Sequence, residues 1–305
     1  MRLHLEMPIA QGCGDRDATL RLALAAEDAG FDGLAYTDHP APSRKWLERG
    51  GHETFDPFAA LAFCAAATTR VRLLTYLAVL PYRNPLLLAK TVATVDRLSA
   101  GRLTLVVGSG YLRSEFAALG RSFDDRNALV DETLDVLTRV WTVDRFAHQG
   151  SDFKAIDVAC EPGPIQLPHP PIWIGGNSQM SRARAARHAV GWAPLFASGA
   201  FAETVRTASI ASLDDLRDGI ADLRQRTVDA GRDPDTVSVQ VDVGDLDAAL
   251  AEPDAFADRL RELGCLGVTD AMLRTARGAG SAEAIDALER SAPLLDRAHA
   301  AAVNS

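Results

Sequence analysis

The sequence predicts an α/β fold, a (β/α)8 TIM barrel, as one domain over residues 1–305 with loop insertions at the C-terminal face of the strands. Three observations lead there. Short apolar runs alternate with longer helical patterns, and strict β-then-α order implies parallel strands joined by right-handed crossovers. Eight such units in 305 residues suit a closed barrel better than an open sheet. No low-complexity linker and no internal repeat beyond this rhythm divides the chain.

The elements follow in order. "LHLEMPI" alternates as a strand, and "DATLRLALAAEDAG" is helical, with Asp17 as N-cap and Gly30 as its stop. "GLAYTDH" is the second strand. In "DPFAALAFCAAATT", Asp56 caps, Pro57 takes the first helical position, and Phe58, Leu61, Ala62 and Ala65 share a face. "VRLLTYLAVL" is the third strand. "NPLLLAKTVATVDRLSAG" repeats the cap-then-proline opening with Asn84 and Pro85, buries a stripe of Leu88, Val92 and Val95, and ends at Gly101. "RLTLVVGSG" is the fourth strand, followed by a helix over about residues 125–142. "PIWIGGN" is the fifth, with a helix from Ser178 to about His188, and "WAPLF" the sixth. "SLDDLRDGIADLRQRTVDAG" opens on a capping box, Ser212 with Asp215, and its inner stripe is Leu213, Leu216, Ile220 and Leu223. "VSVQVDV", a helix around Phe256, Leu260 and Leu263, "GVTDAML" and a helix from Ser281 complete the pattern. Two segments break the rhythm: residues 40–55, with Trp46 and His52, and residues 143–170, where Gln149 to Asp152 suit a hairpin turn. Both are expected on the side that carries the site.

Composition excludes several classes. A net charge of −9 disfavours nucleic acid, which needs a basic footprint, yet leaves room for local binding of a small anion. No apolar run is long enough to span a membrane, and "MRLHLEMPIAQG" lacks the apolar core of a signal peptide. Cys13, Cys64, Cys160 and Cys265 are far apart, which suits a reduced cytoplasmic protein. The histidines show no metal-binding spacing, so no metal is expected.

In a closed barrel the strand ends meet at one mouth. They deliver Thr37, Asp38 and His39; Tyr76 to Pro81; Gly108, Ser109 and Gly110; and Gly175, Gly176, Asn177 and Ser178. "IGGNS" reads as a phosphate cradle, glycine amides leading into a helix N-terminus, or as a tight capped turn with no ligand. "GSGYLRSEF" has Arg113 where a dinucleotide fingerprint needs its third glycine, and reads as a glycine-rich βα turn. Asp38 either caps a turn through Pro40 with His39 exposed, or His39 serves as a proton carrier near neutral pH.

"GFDGLAYTDHPAP", "VLPYRNPLLLAKTVATVDRLSAGRLTLVVGSGYLRSEF" and "PHPPIWIGGNS" together resemble the luciferase-like flavin and deazaflavin oxidoreductases, in particular the branch that uses coenzyme F420. The likeness runs from residue 1 to about 200; beyond it only the strand–helix rhythm matches. It implies a barrel with a deazaflavin or flavin in its mouth and a hydride exchanged with a small organic substrate. Asp38 would then contact the ring system and His39 would lie at the reacting face. Tyr76–Leu77 would be a cis peptide in a bulge behind the ring. Ser109, Gly110 and Ser114 would touch ring and chain, and Gly175, Gly176, Asn177 and Ser178 would cradle the phosphate. Family members acting on sugar phosphates place a glutamate directly after the G-x-G. Tyr111 stands there here, and their phosphate-binding lysines have no counterpart, so a sugar-phosphate substrate is rejected. His39 is the first choice for the proton role and Tyr111 the second, packing against the ring being the favoured use of Tyr111. The alternatives are an FMN-dependent monooxygenase on the same scaffold and a cofactor-binding protein without turnover. A homodimer is expected, as is common in the family.

Overall fold

Side-chain alternation along each strand sorts the residues into two cores. On β1 (Arg2–Glu6), Leu3 and Leu5 face the helices, while His4 turns into the barrel with its ring edge-on to Trp173. The computed structural model describes residues 1–9, 12–276 and 278–303. Its barrel strands are β1, β2 (Gly33–Tyr36), β3 (Arg72–Thr75) continued as β4 (Ala78–Val79), β5 (Leu103–Gly108), β8 (Ile172–Gly175), β9 (Gly191–Ala193), β10 (Ser238–Asp245) and β11 (Asp270–Arg274). All barrel pairings are parallel. The eighth strand closes on the first, with Arg2 opposite Asp270 and Glu6 opposite Arg274.

Inside the barrel, Ala35, Leu74, Val106, Trp173, Ala193 and Met272 form a small apolar plug, with Tyr76 and Leu77 packed on it. Two glycines make room for its bulkiest neighbours. A Cβ on Gly33 would lie 2.5 Å from His4 Nδ1, and one on Gly191 only 2.3 Å from Trp173 Cγ. Outside, one continuous core joins the strands to α1 (Arg16–Ala29), α3 (Pro57–Ala67), α4 (Pro85–Leu98), α6 (Arg126–Val140), α7 (Gln179–His188), α9 (Leu213–Asp229), α11 (Pro253–Cys265) and α12 (Ser281–Val303).

The predicted caps hold at Asp56 and Asn84, and Ser212 with Asp215 forms the capping box; Ser178, read as the first residue of its helix, is the N-cap of α7. The first helix differs. Asp15 is its N-cap, accepting from the Ala18 N–H at 2.7 Å, because Asp17 already lies in the first turn, exposed and paired with Arg16. Gly30 ends that helix at φ 99°, a left-handed conformation that favours glycine. Four short helices were not evident in the sequence: α2 (Arg44–Glu48), α5 (Arg113–Ala118), α8 (Gly199–Thr204) and α10 (Leu246–Ala251).

The insertion at residues 40–55 lies at the mouth. Residues 143–170 connect α6 to β8 and divide between the two ends of the barrel. Their β6 (Phe146–Gln149) and β7 (Lys154–Val158) form the expected antiparallel hairpin, docked on α6 through Glu132, which accepts from Ser151. The hairpin tip reaches the mouth-side loops through an Asp152–Arg121 ion pair. The stretch that follows is strapped to α4 by Asp96, which accepts from the backbone of Ile165 and Gln166, and Gln166 reaches the start of β5. A helix-to-strand connection must return to the strand starts, so this part of the insertion leaves the mouth.

Candidate functional site

The third strand breaks where the site begins. Its pairing with β2 stops at Thr75, the Tyr76–Leu77 peptide is cis, and the chain resumes as β4 beside Val107 and Gly108. Asp38 holds this break. Its carboxylate accepts the Val79 N–H at 2.8 Å and a bidentate pair from Arg83 at 2.5 and 2.9 Å. Arg83 also binds Asp56, the cap of α3, at 2.9 Å. Burial opposes the Arg83 charge, but these carboxylates outweigh it and raise its pKa. Asp38, read from sequence as a turn cap or ring contact, holds the wall behind the mouth through these contacts.

Leu77 projects over that wall. A Cβ on Gly108 would meet its Cδ1 at 2.6 Å, and one on Gly175 its Cδ2 at 2.2 Å. These two glycines therefore make room for a side chain of the protein itself. Tyr76 packs on the interior plug. Burial, and the nearby carboxylates of Asp242 and Glu6, push its phenol well above the ordinary value. Asp242 belongs to the far side of the mouth. A bulge in β10, with Gly244 at φ 101°, turns both Asp242 and Asp245 toward Arg274, at 2.6 and 2.9 Å. Burial still raises the Asp242 pKa.

On the near side His39 stands among aromatic rings. Its Nδ1 is 3.1 Å from Glu115 Oε2. Trp46 lies 4.6 Å from it between ring centres, His52 5.2 Å and Tyr111 5.9 Å. Trp46 and His52 come from the first insertion, and Thr37 fixes His52 through its Nε2 at 2.9 Å. Burial and the Glu115 charge push the Tyr111 phenol up to about 12, against a hydrogen bond with Trp46. Both predicted proton carriers, His39 and Tyr111, therefore stand together. Glu115 was not foreseen. The signal was present in "GSGYLRSEF", where a carboxylate follows Tyr111 by about one helical turn.

The "IGGNS" corner is more fully used internally than its sequence suggests. The Gly176 N–H donates to Ala193 O and the Asn177 N–H to Thr207 Oγ1, both at 3.1 Å. The Asn177 side chain binds the backbone of Leu195 and Ala208, latching β8 to the segment after β9. Ser178 caps α7. What faces outward is the first turn of α7, where the N–H groups of Gln179 and Met180 have no intrahelical acceptor. Ser109 and Gly110 stand at the mouth end of β5. Gly110, at φ 73°, packs so closely under Val79 and Phe116 that a Cβ would come within 2.6 Å of Val79. Ser114 is exposed on α5.

Beside this corner lies a cationic cluster that the sequence reading missed. The guanidinium carbons of Arg126, Arg113 and Arg206 stand 4.0, 4.1 and 5.4 Å from the centre of one ring, Phe123. Burial, with the charges of Arg113 and Arg206, lowers the Arg126 pKa. Only Asp124, on Arg113 at 3.1 Å, offsets them among the recorded ion pairs of the described residues. Neighbours tie the cluster to α7 from two sides. Thr207, next to Arg206, takes the Asn177 N–H, and Asn127, next to Arg126, is bound by Arg184 of α7. Three guanidinium groups with a single carboxylate among them, beside a helix N-terminus, form a donor set suited to a phosphate. Among the described residues, no group of three His, Cys, Asp or Glu stands so as to hold a metal ion.

The family model described as luciferase-like monooxygenase matches residues 4–297. The chain belongs to the luciferase-like monooxygenase family. An FMNH2-dependent dimethylsulfone monooxygenase of Pseudomonas putida is 33% identical over 207 residues, 67% of this chain and 53% of that protein. An F420-dependent glucose-6-phosphate dehydrogenase of Amycolatopsis mediterranei is 31% identical over 182 residues, 58% of this chain and 53% of that protein. The chain thus spans about half the length of these curated relatives. Among solved structures, the monooxygenase RslO1 from Streptomyces bottropensis superposes with a TM-score of 0.78 at 22% identity, covering 98% of this chain and 100% of that one. An F420-dependent secondary alcohol dehydrogenase, solved with an F420–acetone adduct, gives 0.75 at 15% identity over 97% of this chain and 98% of that one. At these identities the structures attest the luciferase-like barrel fold. The family includes both F420-dependent and FMN-dependent enzymes, so a deazaflavin or flavin is the class of cofactor at issue. Among the described residues, no helix is long and apolar enough to cross a membrane.

Proposed function

We propose that this protein is an oxidoreductase that exchanges hydride between coenzyme F420 and a small organic substrate, as a cytoplasmic homodimer. The observation that carries the reading is the arginine cluster at the mouth rim. In a chain of net charge −9, Arg113, Arg126 and Arg206 converge beside the α7 N-terminus with one recorded carboxylate partner among the described residues. That arrangement suits the phosphate of a cofactor whose ring lies against the Tyr76–Leu77 wall.

When bound, the deazaflavin supplies the carbon that gives or takes hydride. The chain's own residues do the rest. Arg113, Arg126, Arg206 and Ser178 hold the anionic tail. Leu77, Ser109 and Gly110 set the tilt of the ring, with Tyr76 beneath. Gly175, Gly176 and Asn177 build the corner through their internal contacts, and Ser114 stands exposed beside it. His39 is the group that takes up or returns the proton that accompanies hydride exchange. Tyr111 packs in the same cluster, with a phenol that stays protonated at neutral pH. Trp46 and His52 limit the access of water to His39.

The test is a titration of the protein with F420 and with FMN, followed by fluorescence quenching, with oxygen uptake measured on reduced FMN. Tighter binding of F420, weakened about tenfold or more by Arg126→Ala, is the expected result. Preference for FMN with oxygen uptake would instead make it an FMN-dependent monooxygenase. Binding without turnover of any substrate would make it a non-catalytic binding protein, and no binding of either cofactor would overturn the reading. Light scattering measures the expected dimer.

A further inference from the structure

We propose that Glu115 is a positioning residue: it fixes the proton of neutral His39 on Nδ1 and leaves Nε2 as the free ring nitrogen offered to whatever occupies the mouth. The inference rests on the reading of His39 as the proton carrier, but its structural half stands without any cofactor. Glu115 is fully buried, in the first turn of α5, and one carboxylate there collects three donors from two separate strand ends. Ala41, beyond β2, gives its N–H to Oε1 at 3.2 Å. Tyr82, beyond β4, gives its O–H to Oε2 at 2.9 Å. His39 Nδ1 completes the set on Oε2 at 3.1 Å.

A carboxylate only accepts, and a neutral imidazole carries one N–H. The proton of His39 therefore lies on Nδ1, and Nε2, which has no recorded hydrogen-bond partner among the described residues, keeps its lone pair. Rotating the ring to exchange the two nitrogens is opposed by Trp46, His52 and Tyr111, all within 5.9 Å of it centre to centre. His52 is itself pinned by Thr37. The remaining titratable groups facing this corner are Tyr82 and Tyr111, both with phenols raised by burial and by Glu115, so both stay protonated near neutral pH.

Replacing Glu115 with glutamine inverts this arrangement. The Ala41 N–H requires an oxygen at the Oε1 position, which puts the new amide NH2 at the Oε2 position. It then donates to His39 Nδ1 and moves the ring proton to Nε2. The Tyr82 hydroxyl can rotate to accept.

The experiment is long-range proton–nitrogen correlation NMR on 15N-histidine-labelled protein without cofactor, with His39 assigned by His39→Asn. The wild type should show His39 protonated at Nδ1 and Glu115→Gln should show it protonated at Nε2. With cofactor, kcat of Glu115→Gln should fall about 10²- to 10⁴-fold, as expected of a wrong tautomer, while the Kd for the cofactor stays within about twofold. A wild type protonated at Nε2 overturns the proposal, as does a Glu115→Gln protein with unaltered tautomer and unaltered kcat. If Glu115→Gln does not fold, the wild-type spectrum and that of Tyr82→Phe decide: both should keep the proton on Nδ1, and Nε2 protonation in either overturns it. Failure of F420 and FMN to bind would remove the proposed function and leave the tautomer result standing.

Discussion

Gly175→Ala separates the two roles that a glycine at the mouth can play. If Gly175 exists to let a ligand approach bare backbone, an added methyl blocks the ligand directly. The structure gives it another task. The new Cβ would lie 2.2 Å from Leu77 Cδ2, and the next obstacle, Val107 O, stands at 3.4 Å, an ordinary contact. The backbone need not move. Leu77 must withdraw its terminal methyl by roughly 1 Å, and beyond it lies the mouth. A side chain forced off its rotamer and a modest overpacking cost about 1–2 kcal/mol. In a chain of 305 residues that lowers Tm by about 2–3 °C. The displaced methyl then intrudes where the ring is proposed to sit, and a cofactor Kd raised at least tenfold corresponds to about 1.4 kcal/mol. Gly191→Ala is the control. Its Cβ would lie 2.3–2.5 Å from three atoms of the Trp173 indole, a rigid ring locked in the barrel interior. It should cost about 3 kcal/mol or more, chiefly in stability. Differential scanning fluorimetry and cofactor titration measure both quantities. A Gly175→Ala protein with a lowered Tm and wild-type cofactor affinity would refute the placement of the ring against Leu77.

Three further results are expected. Asp38→Asn removes the bidentate partner of Arg83 and leaves a buried guanidinium with Asp56 alone, so denaturant unfolding should show a loss of about 3 kcal/mol; an unchanged midpoint would show that the pair does not hold the strand break. His299 lies 2.8 Å from Asp32 and has its pKa raised by that hydrogen bond, against partial burial. Its stabilising contribution is complete below about pH 6.5 and is lost as pH climbs through the raised value, so Tm should fall over that window by a margin that His299→Gln abolishes. Asp32, lowered by His299 and the Leu3 N–H against its own burial, gives the opposite limb: its contribution is present above about pH 3.9 and is lost on acidification. Both side chains are about a third exposed, so solvent screening keeps the pair within about 1 kcal/mol, and identical pH profiles for wild type and His299→Gln would dismiss it.

What sequence could reveal here follows the range of the interactions. Periodicity and caps are local, so the barrel strands and the caps at Asp56, Asn84 and Ser212 could be read directly. The one displaced cap, Asp15 for Asp17, reflects two aspartates two positions apart, either of which suits a helix start. The site residues were legible as strand ends but not by role. Asp38 was visible as a polar group after a strand, yet its partner Arg83 lies 45 residues on and carries no local mark. Glu115 and His39 are 76 residues apart, and no spacing rule joins them. The glycines of "IGGNS" looked available because sequence shows the absence of a Cβ but not what fills the space, which at Gly175 is Leu77. The arginine cluster escaped because Arg113, Arg126 and Arg206 converge only once α5, α6 and the segment after α8 are folded onto one phenylalanine.

These long-range contacts share a pattern that bears on how such a mouth keeps its shape. Loops at the strand ends carry few apolar contacts of their own, and a ring held for hydride exchange needs its wall and its proton carrier fixed relative to each other. Here two buried carboxylates supply that link. Asp38 ties the exit of β2 to β4 and, through Arg83, to α3. Glu115 ties the next residues of the same exit, His39 and Ala41, to Tyr82 and α5. The wall residues Tyr76 and Leu77 and the proton carrier His39 thus hang from one short stretch, residues 37–41, braced on both sides. Because Asp38 and His39 are adjacent and their carboxylate-centred networks meet at the stretch from Val79 to Arg83, the two are expected to be energetically coupled. A double-mutant cycle between Asp38→Asn and Glu115→Gln should return an interaction of about 0.5 kcal/mol or more in unfolding free energy; strictly additive losses would mean that wall and proton carrier are held independently.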